Sequence, residues 1–192
     1  EFLNEQMDPA EVLAIEVRQF TGDGGVRMVA PRVLGPSAKA EQRKGTPEKR
    51  KWNKTDFLAE LGQQHPDLVQ LAKNILAWAE DQRLIIWLGG GRQTGSFYPM
   101  LQTSAGTRQV FAVLTTGKIE IEYKFMKNYP AFADEETLRG FVRMLNAIPG
   151  VQIPEDGTPR LPSIPLEVLV DKANYRQFIE AVEWAYQKIR QE

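Results

Sequence analysis

Apolar positions along the chain recur with two different periods, and the points where the period changes divide it into blocks. Val12-Leu13-Ala14-Ile15-Glu16-Val17-Arg18-Gln19-Phe20 is rich in β-branched and aliphatic residues and predicts a strand. Asp23-Gly24-Gly25 turns it, Val26 to Ala30 returns antiparallel, and Pro31, with no N–H to donate, is expected to end the pairing. Glu1 to Met7 reads as the last turns of a helix. From Gly35 to Lys51 the pattern gives way to Gly, Pro, Ser, Thr and charge. There Lys39, Arg43, Lys44, Lys49, Arg50 and Lys51 stand against Glu41 and Glu48, a net of +4. Such a stretch buries little, so a mobile basic linker is expected over 35–51.

Helical spacing takes over beyond the linker. Thr55 or Asn53 caps a helix through Phe57, Leu58 and Leu61 that Gly62 should stop, and Pro66 opens a second through Leu68, Leu71, Ala72, Ile75, Leu76 and Ala79. Leu84-Ile85-Ile86-Trp87-Leu88 is short, wholly apolar and followed by three glycines, which predicts a buried strand. Phe97 to Leu101, Gln109 to Thr115 and Lys118 to Phe125 predict three more, the last two joined at Thr116-Gly117. In the last, Ile119, Ile121, Tyr123 and Phe125 alternate with Glu120, Glu122 and Lys124, so one face is read as core and the other as wet. Asp134 caps a helix that Pro149-Gly150 ends, and a final helix starts at Asp171. The expected class is α+β, with a mostly antiparallel sheet between helices in residues 52–192 and a helix plus hairpin in 1–34 as the tail of an upstream domain.

Composition narrows the chemistry. The chain has 192 residues, 42% hydrophobic and 26% charged, with 24 basic against 25 acidic side chains, so no global field marks a nucleic-acid or membrane partner. Any electrostatic contact must come from a local patch. With no cysteine and a single histidine, His65, disulfides, thiolate zinc sites, cysteine nucleophiles and sites needing two imidazoles are excluded. No apolar run approaches the ~18 residues of a membrane span and no leader pattern is present, so a cytoplasmic chain is expected.

Few residues offer chemistry. Gly89-Gly90-Gly91-Arg92-Gln93-Thr94-Gly95-Ser96 could cradle an anion with Arg92 closing on it. Ser96-Phe97, however, stands where a Walker loop requires Lys-Ser/Thr, and a flexible hairpin tip is the plainer reading. Glu120 and Glu122 fall on one strand face with Lys118 and Lys124, the usual arrangement of a solvated strand. His65, just before Pro66, reads as a helix-entry residue. Trp78, Trp87 and Trp184 read as core, whereas Trp52, between Lys51 and Lys54, could stack on a base. Asp8 with Glu16-Val17-Arg18 imitates the Asp…Glu-x-Lys constellation of metal-dependent nucleases, but one strand carries Glu16 and Arg18, and arginine is a poor base at neutral pH. No catalytic residue, metal site or cofactor is therefore expected.

Several segments carry a resemblance. Phe2-Leu3-Asn4-Glu5-Gln6-Met7, Leu13 to Phe20 and Pro31-Arg32-Val33-Leu34-Gly35 resemble the tail of the restriction-endonuclease-like, PD-(D/E)XK-related domain in bacterial proteins of unassigned function. Gly95-Ser96-Phe97-Tyr98-Pro99, Phe111-Ala112-Val113, Leu145 to Val151 and Pro162 to Leu166 look like segments of the α+β domain that follows it. The resemblance implies that the chain begins inside a longer protein and that the catalytic carboxylates lie upstream. It also implies a basic residue where Gly90 stands here. The function expected is a non-catalytic, nucleic-acid-associated module, binding DNA or RNA through Lys44, Lys49, Arg50, Lys51, Trp52, Lys54 and Arg92. The alternative is an interaction or sensing domain for a protein or small molecule, without nucleic acid. A homo-oligomer or protein partner is compatible with either.

Overall fold

A computed structural model describes residues 14–21, 27–34, 51–91, 94–154 and 161–192, and of the hairpin's side chains only Val17. Lys44, Lys49, Arg50 and Arg92, most of the expected linker, Asp8 and the helix expected at the N-terminus lie outside these residues. The chain divides into two compact units, Glu1–Glu48 and Lys49–Glu192.

In the first unit β1 (Ala14–Thr21) pairs antiparallel with β2 (Arg27–Leu34). Pairing runs on through Pro31, which lies opposite Val17, to Leu34 opposite Ala14, contrary to the expected stop. Among the described residues this sheet has two strands, so both are edges, and an edge strand has one side on which a missing N–H disrupts no ladder.

The second unit is α+β. Asn53 caps α1 (Lys54–Gln64), its side chain accepting from the Asp56 N–H at 2.8 Å. The helix passes through Gly62 and stops at His65, because proline disfavours helical backbone in the residue before it. Pro66 then opens a 3-10 turn, Pro66–Leu68, that leads into α2 (Val69–Asp81). Five short strands follow: β3 (Ile85–Gly89), β4 (Ser96–Thr103), β5 (Gly106–Gln109), β6 (Phe111–Leu114) and β7 (Lys118–Ile121). After β7 come α3 (Tyr123–Met126), α4 (Glu135–Asn146) capped by Asp134, β8 (Ser163–Pro165) and α5 (Lys172–Arg190) capped by Asp171.

All strand pairings are antiparallel, in the order β3-β4-β6-β7-β8, with β5 also on β4. β5 and β6 are two pieces of one path beside β4, broken at Val110. Strand side chains alternate between faces. One face carries Phe97, Leu101, Phe111, Val113, Ile119, Ile121 and Ile164, all in the core against the helices. Phe57 of α1 meets Phe97 edge-on at 5.0 Å, Phe178 of α5 meets Phe111 at 5.2 Å, and the Tyr186 hydroxyl donates to the Pro99 carbonyl at 2.6 Å.

The predicted strand over 118–125 is corrected at its end. β7 stops at Ile121, and Tyr123 to Met126 form a helical turn that buries Tyr123 and Met126 while Phe125 is exposed. Two apolar residues three apart suit a helix as well as their neighbours suit a strand, and over so few residues the periods do not separate.

Candidate binding site on the open face of the sheet

The register places the residues of the other sheet face in rows. Ile85 lies opposite Met100, Trp87 opposite Tyr98 and Gly89 opposite Ser96; Ser96 opposes Leu114, Ala112 opposes Glu120, and Glu120 opposes Ser163. Trp87 and Tyr98 on one side and Ala112, Glu120 and Ser163 on the other form two short rows, brought next to each other by the Phe97–Val113 pair. Ile85 and Trp87 are exposed, at 49% and 52%, whereas the alternate residues Ile86 and Leu88 pack on the core. This corrects the expectation that Trp87 and its strand are wholly buried. β3 is the edge of a sheet with helices against one face, so an all-apolar strand still has an outward side.

The Trp87 and Tyr98 rings lie 5.2 Å apart, inclined at 57°. Both residues spring from central positions of regular strands, which fixes their spacing. Gly89 admits Ser96 beside them: a Cβ on Gly89 would sit 2.3 Å from the Ser96 Oγ. Ala112, though on this face, is fully buried.

Glu122 is only 1% exposed, and its Oε2 accepts from the Gln109 Nε2 at 3.0 Å. Its own N–H donates to the Val110 carbonyl at 2.9 Å, one step beyond the Phe111–Ile121 pair, and Gln109, the residue before Val110, holds its side chain. Burial pushes the Glu122 carboxyl up to about 7, against the opposing effect of the Gln109 hydrogen bond and with a further rise from Glu120. The Tyr98 hydroxyl is also pushed up, first by burial and then by the Glu122 and Glu120 charges, while a hydrogen bond with Ser96 draws it down. The reading of Glu120 and Glu122 as a plain solvated pair fails for Glu122. Behind Gln109, the Tyr129 hydroxyl donates to its carbonyl and accepts from its N–H, both at 3.2 Å, and Arg108 stacks over the Tyr129 ring at 4.8 Å.

Of the residues expected to bind nucleic acid, Lys51, Trp52 and Lys54 are among the described ones. Lys51 is exposed. Trp52 is 6% exposed, donates its indole N–H to the Gly91 carbonyl at 2.8 Å, and lies so close to Gly95 that a Cβ there would be 2.8 Å from the ring. This corrects the stacking role, because a base has no access to a ring packed in the core. Lys54 pairs with Glu80. In the glycine loop the Gly95 N–H donates to the Thr115 Oγ1 at 3.0 Å, so that amide is committed within the fold. His65 lies against the β6–β7 turn, where a Cβ on Gly117 would be 3.0 Å from its ring. We expect Gly95→Ala to cost about 1–2 kcal/mol by overpacking against Trp52 and Thr115, read as a lower denaturation midpoint. An unchanged midpoint would mean that the indole shifts freely.

A groove of about 300 Å³ lies near the β4–β5 turn, lined by residues that include Gln102, Thr103, Pro130 and Arg190. Its charged groups are engaged: Arg190 donates to the Gln82 carbonyl, and Glu192 accepts from the Ala131 N–H and faces Arg108. Among the described residues no cluster of three or more metal-ligating side chains occurs, and no helix is long and apolar enough to cross a membrane. No family model, curated protein or solved structure matches the chain.

Proposed function

We propose that the chain is a non-catalytic binding module that recognises a protein or small molecule through the open face of its sheet. The observation that carries this reading is the Trp87–Tyr98 pair. A tryptophan more than half exposed beside a half-buried tyrosine, with exposed Ile85 in the same strand, keeps apolar area in water at a free-energy cost that a ligand would relieve. Both rings stand on regular strands, so little side-chain order remains to be lost on binding.

Nucleic-acid association is the second reading, favoured by the density of cations in the sequence from Lys39 to Lys54 and by the exposure of Lys51. It now lacks Trp52 as a stacking residue and has Lys54 engaged with Glu80. The two readings separate in one experiment. Labelled full chain is titrated with single-stranded DNA, single-stranded RNA, and basic, neutral and acidic peptides while backbone amide signals are followed. We expect shifts confined to β3, β4 and β7 and weakened at least about fivefold by Trp87→Ala, about 1 kcal/mol for one exposed aromatic contact. Shifts confined to the Lys51 region with oligonucleotide, indifferent to Trp87→Ala, would favour nucleic acid.

A further inference from the structure

The open face has two chemically different halves. Ile85, Trp87, Tyr98 and Met100 form an apolar half on β3 and β4, while Glu120 and Gln109, which holds the buried Glu122, form a polar half. Neighbouring strands are spaced about 4.8 Å apart, so the Tyr98 and Glu120 backbones are separated by about 10 Å across the Ala112 strand. That distance suits a side chain with a long apolar stem and a charged head. Lysine and arginine lay such stems on apolar surface and keep the head in polar surroundings.

We propose that this face binds a peptide through a lysine or arginine side chain, its stem lying on Trp87 and Tyr98 and its cationic head meeting Glu120. The inference rests on the reading of the open face as the binding surface, and it adds the chemistry of the ligand. Charge complementarity is the argument for this occupant. A cation gains from the electron-rich faces of Trp87 and Tyr98 as well as from the Glu120 carboxylate, whereas a phosphate or an acidic peptide would be repelled by Glu120. Lys118, the other charge on this face, lies opposite Leu114 and Pro165, in the row next to that of Ala112 and Glu120.

The probe is a short acetylated and amidated peptide carrying one arginine, compared with the same peptide carrying citrulline, a neutral analogue of the same shape. The full chain is titrated with each and followed by backbone amide signals. The arginine peptide is expected to shift signals of β3, β4 and β7. Affinity should fall by about tenfold with citrulline, and by a similar factor with Glu120→Gln. Equal affinity for the two peptides at this face would overturn the cation inference and leave the binding face standing. The absence of shifts on this face with either peptide, or arginine-peptide binding indifferent to Trp87→Ala, would overturn both. An oligonucleotide that displaces the arginine peptide from this face would also overturn the inference, because the carboxylate would then not be selecting charge. The citrulline comparison needs no variant, so it holds even if Glu120→Gln fails to fold.

Discussion

Raising the pH from 5 to 8.5 should weaken the fold of the Lys49–Glu192 unit by as much as about 3 kcal/mol, and Glu122→Gln should remove most of that loss. The carboxyl is 1% exposed and is pushed from an ordinary 4.5 to about 7 by burial, so the folded chain holds the proton more tightly than the unfolded chain does. Its contribution is whole below about 4.5, declines as the pH rises, and is gone once the pH passes about 7. The groups around it are Gln109 from β5, Tyr98 from β4, Glu120 from β7 and Tyr129 beyond α3. Among them Gln109 donates to the carboxylate without carrying a charge, and Glu120 opposes ionisation. Burial and like charge therefore outweigh one hydrogen bond.

Glutamine at position 122 copies the protonated carboxyl in shape and can still accept from Gln109. Denaturant midpoints measured across this range, with an unchanged slope against denaturant, should fall for the native sequence and stay nearly level for the variant. The two should nearly coincide at pH 5, with the variant more stable by about 2–3 kcal/mol at pH 8.5. Asp134 does not confuse the comparison. Hydrogen bonds from Thr137 and from the Glu136 and Thr137 N–H groups hold it below the ordinary carboxylate range, so its contribution is lost only at lower pH. A native sequence whose stability rises from pH 5 to 8.5, or a variant with the same slope, would refute the assignment of Glu122.

The helical half of this fold was legible because its signals are local. Asn53, Asp134 and Asp171 cap helices as their side chains predict, and Pro66 opens its turn. The binding face was not legible, for two reasons that are physical rather than statistical. An all-apolar strand such as Ile85 to Leu88 has no alternation to show which side faces the helices, and that depends on its place at the sheet edge. Glu122 falls in step with Glu120 by strand period, but the chain leaves β7 one residue earlier and folds the carboxyl against Gln109, thirteen positions upstream. Trp52 failed in the opposite sense. Flanking lysines suggested a wet surface, yet the contacts that hold it are made with the Gly91 carbonyl and with Gly95, some forty residues on, and at Gly95 only a glycine leaves room for the indole.

Phe111→Ala should be the most damaging single change, costing about 3–5 kcal/mol. Phe111 is fully buried in β6, where the sheet meets two helices at once: Phe178 of α5 packs edge-on at 5.2 Å, and Trp78 of α2 lies at 6.2 Å. Truncation removes the transfer free energy of the ring and both aromatic contacts. It also leaves a cavity that regular strand backbone on one side and two helices on the other cannot close. The alternation of β6 and β7 sends Phe111 and Ile121 inward at one position and Ala112 and Glu120 outward at the next, so the same register that seats Phe111 places Glu120 on the binding face. In chemical denaturation the variant should therefore have a much lower midpoint, and under conditions where it is still folded the signals of Trp87 and Tyr98 should also shift. A loss below about 1 kcal/mol would mean that the helices close over the cavity, which would contradict the packing described. Trp87→Ala serves as the control: it removes an equally large ring from the exposed face and should cost under about 1 kcal/mol, because most of the area it removes was never taken from water.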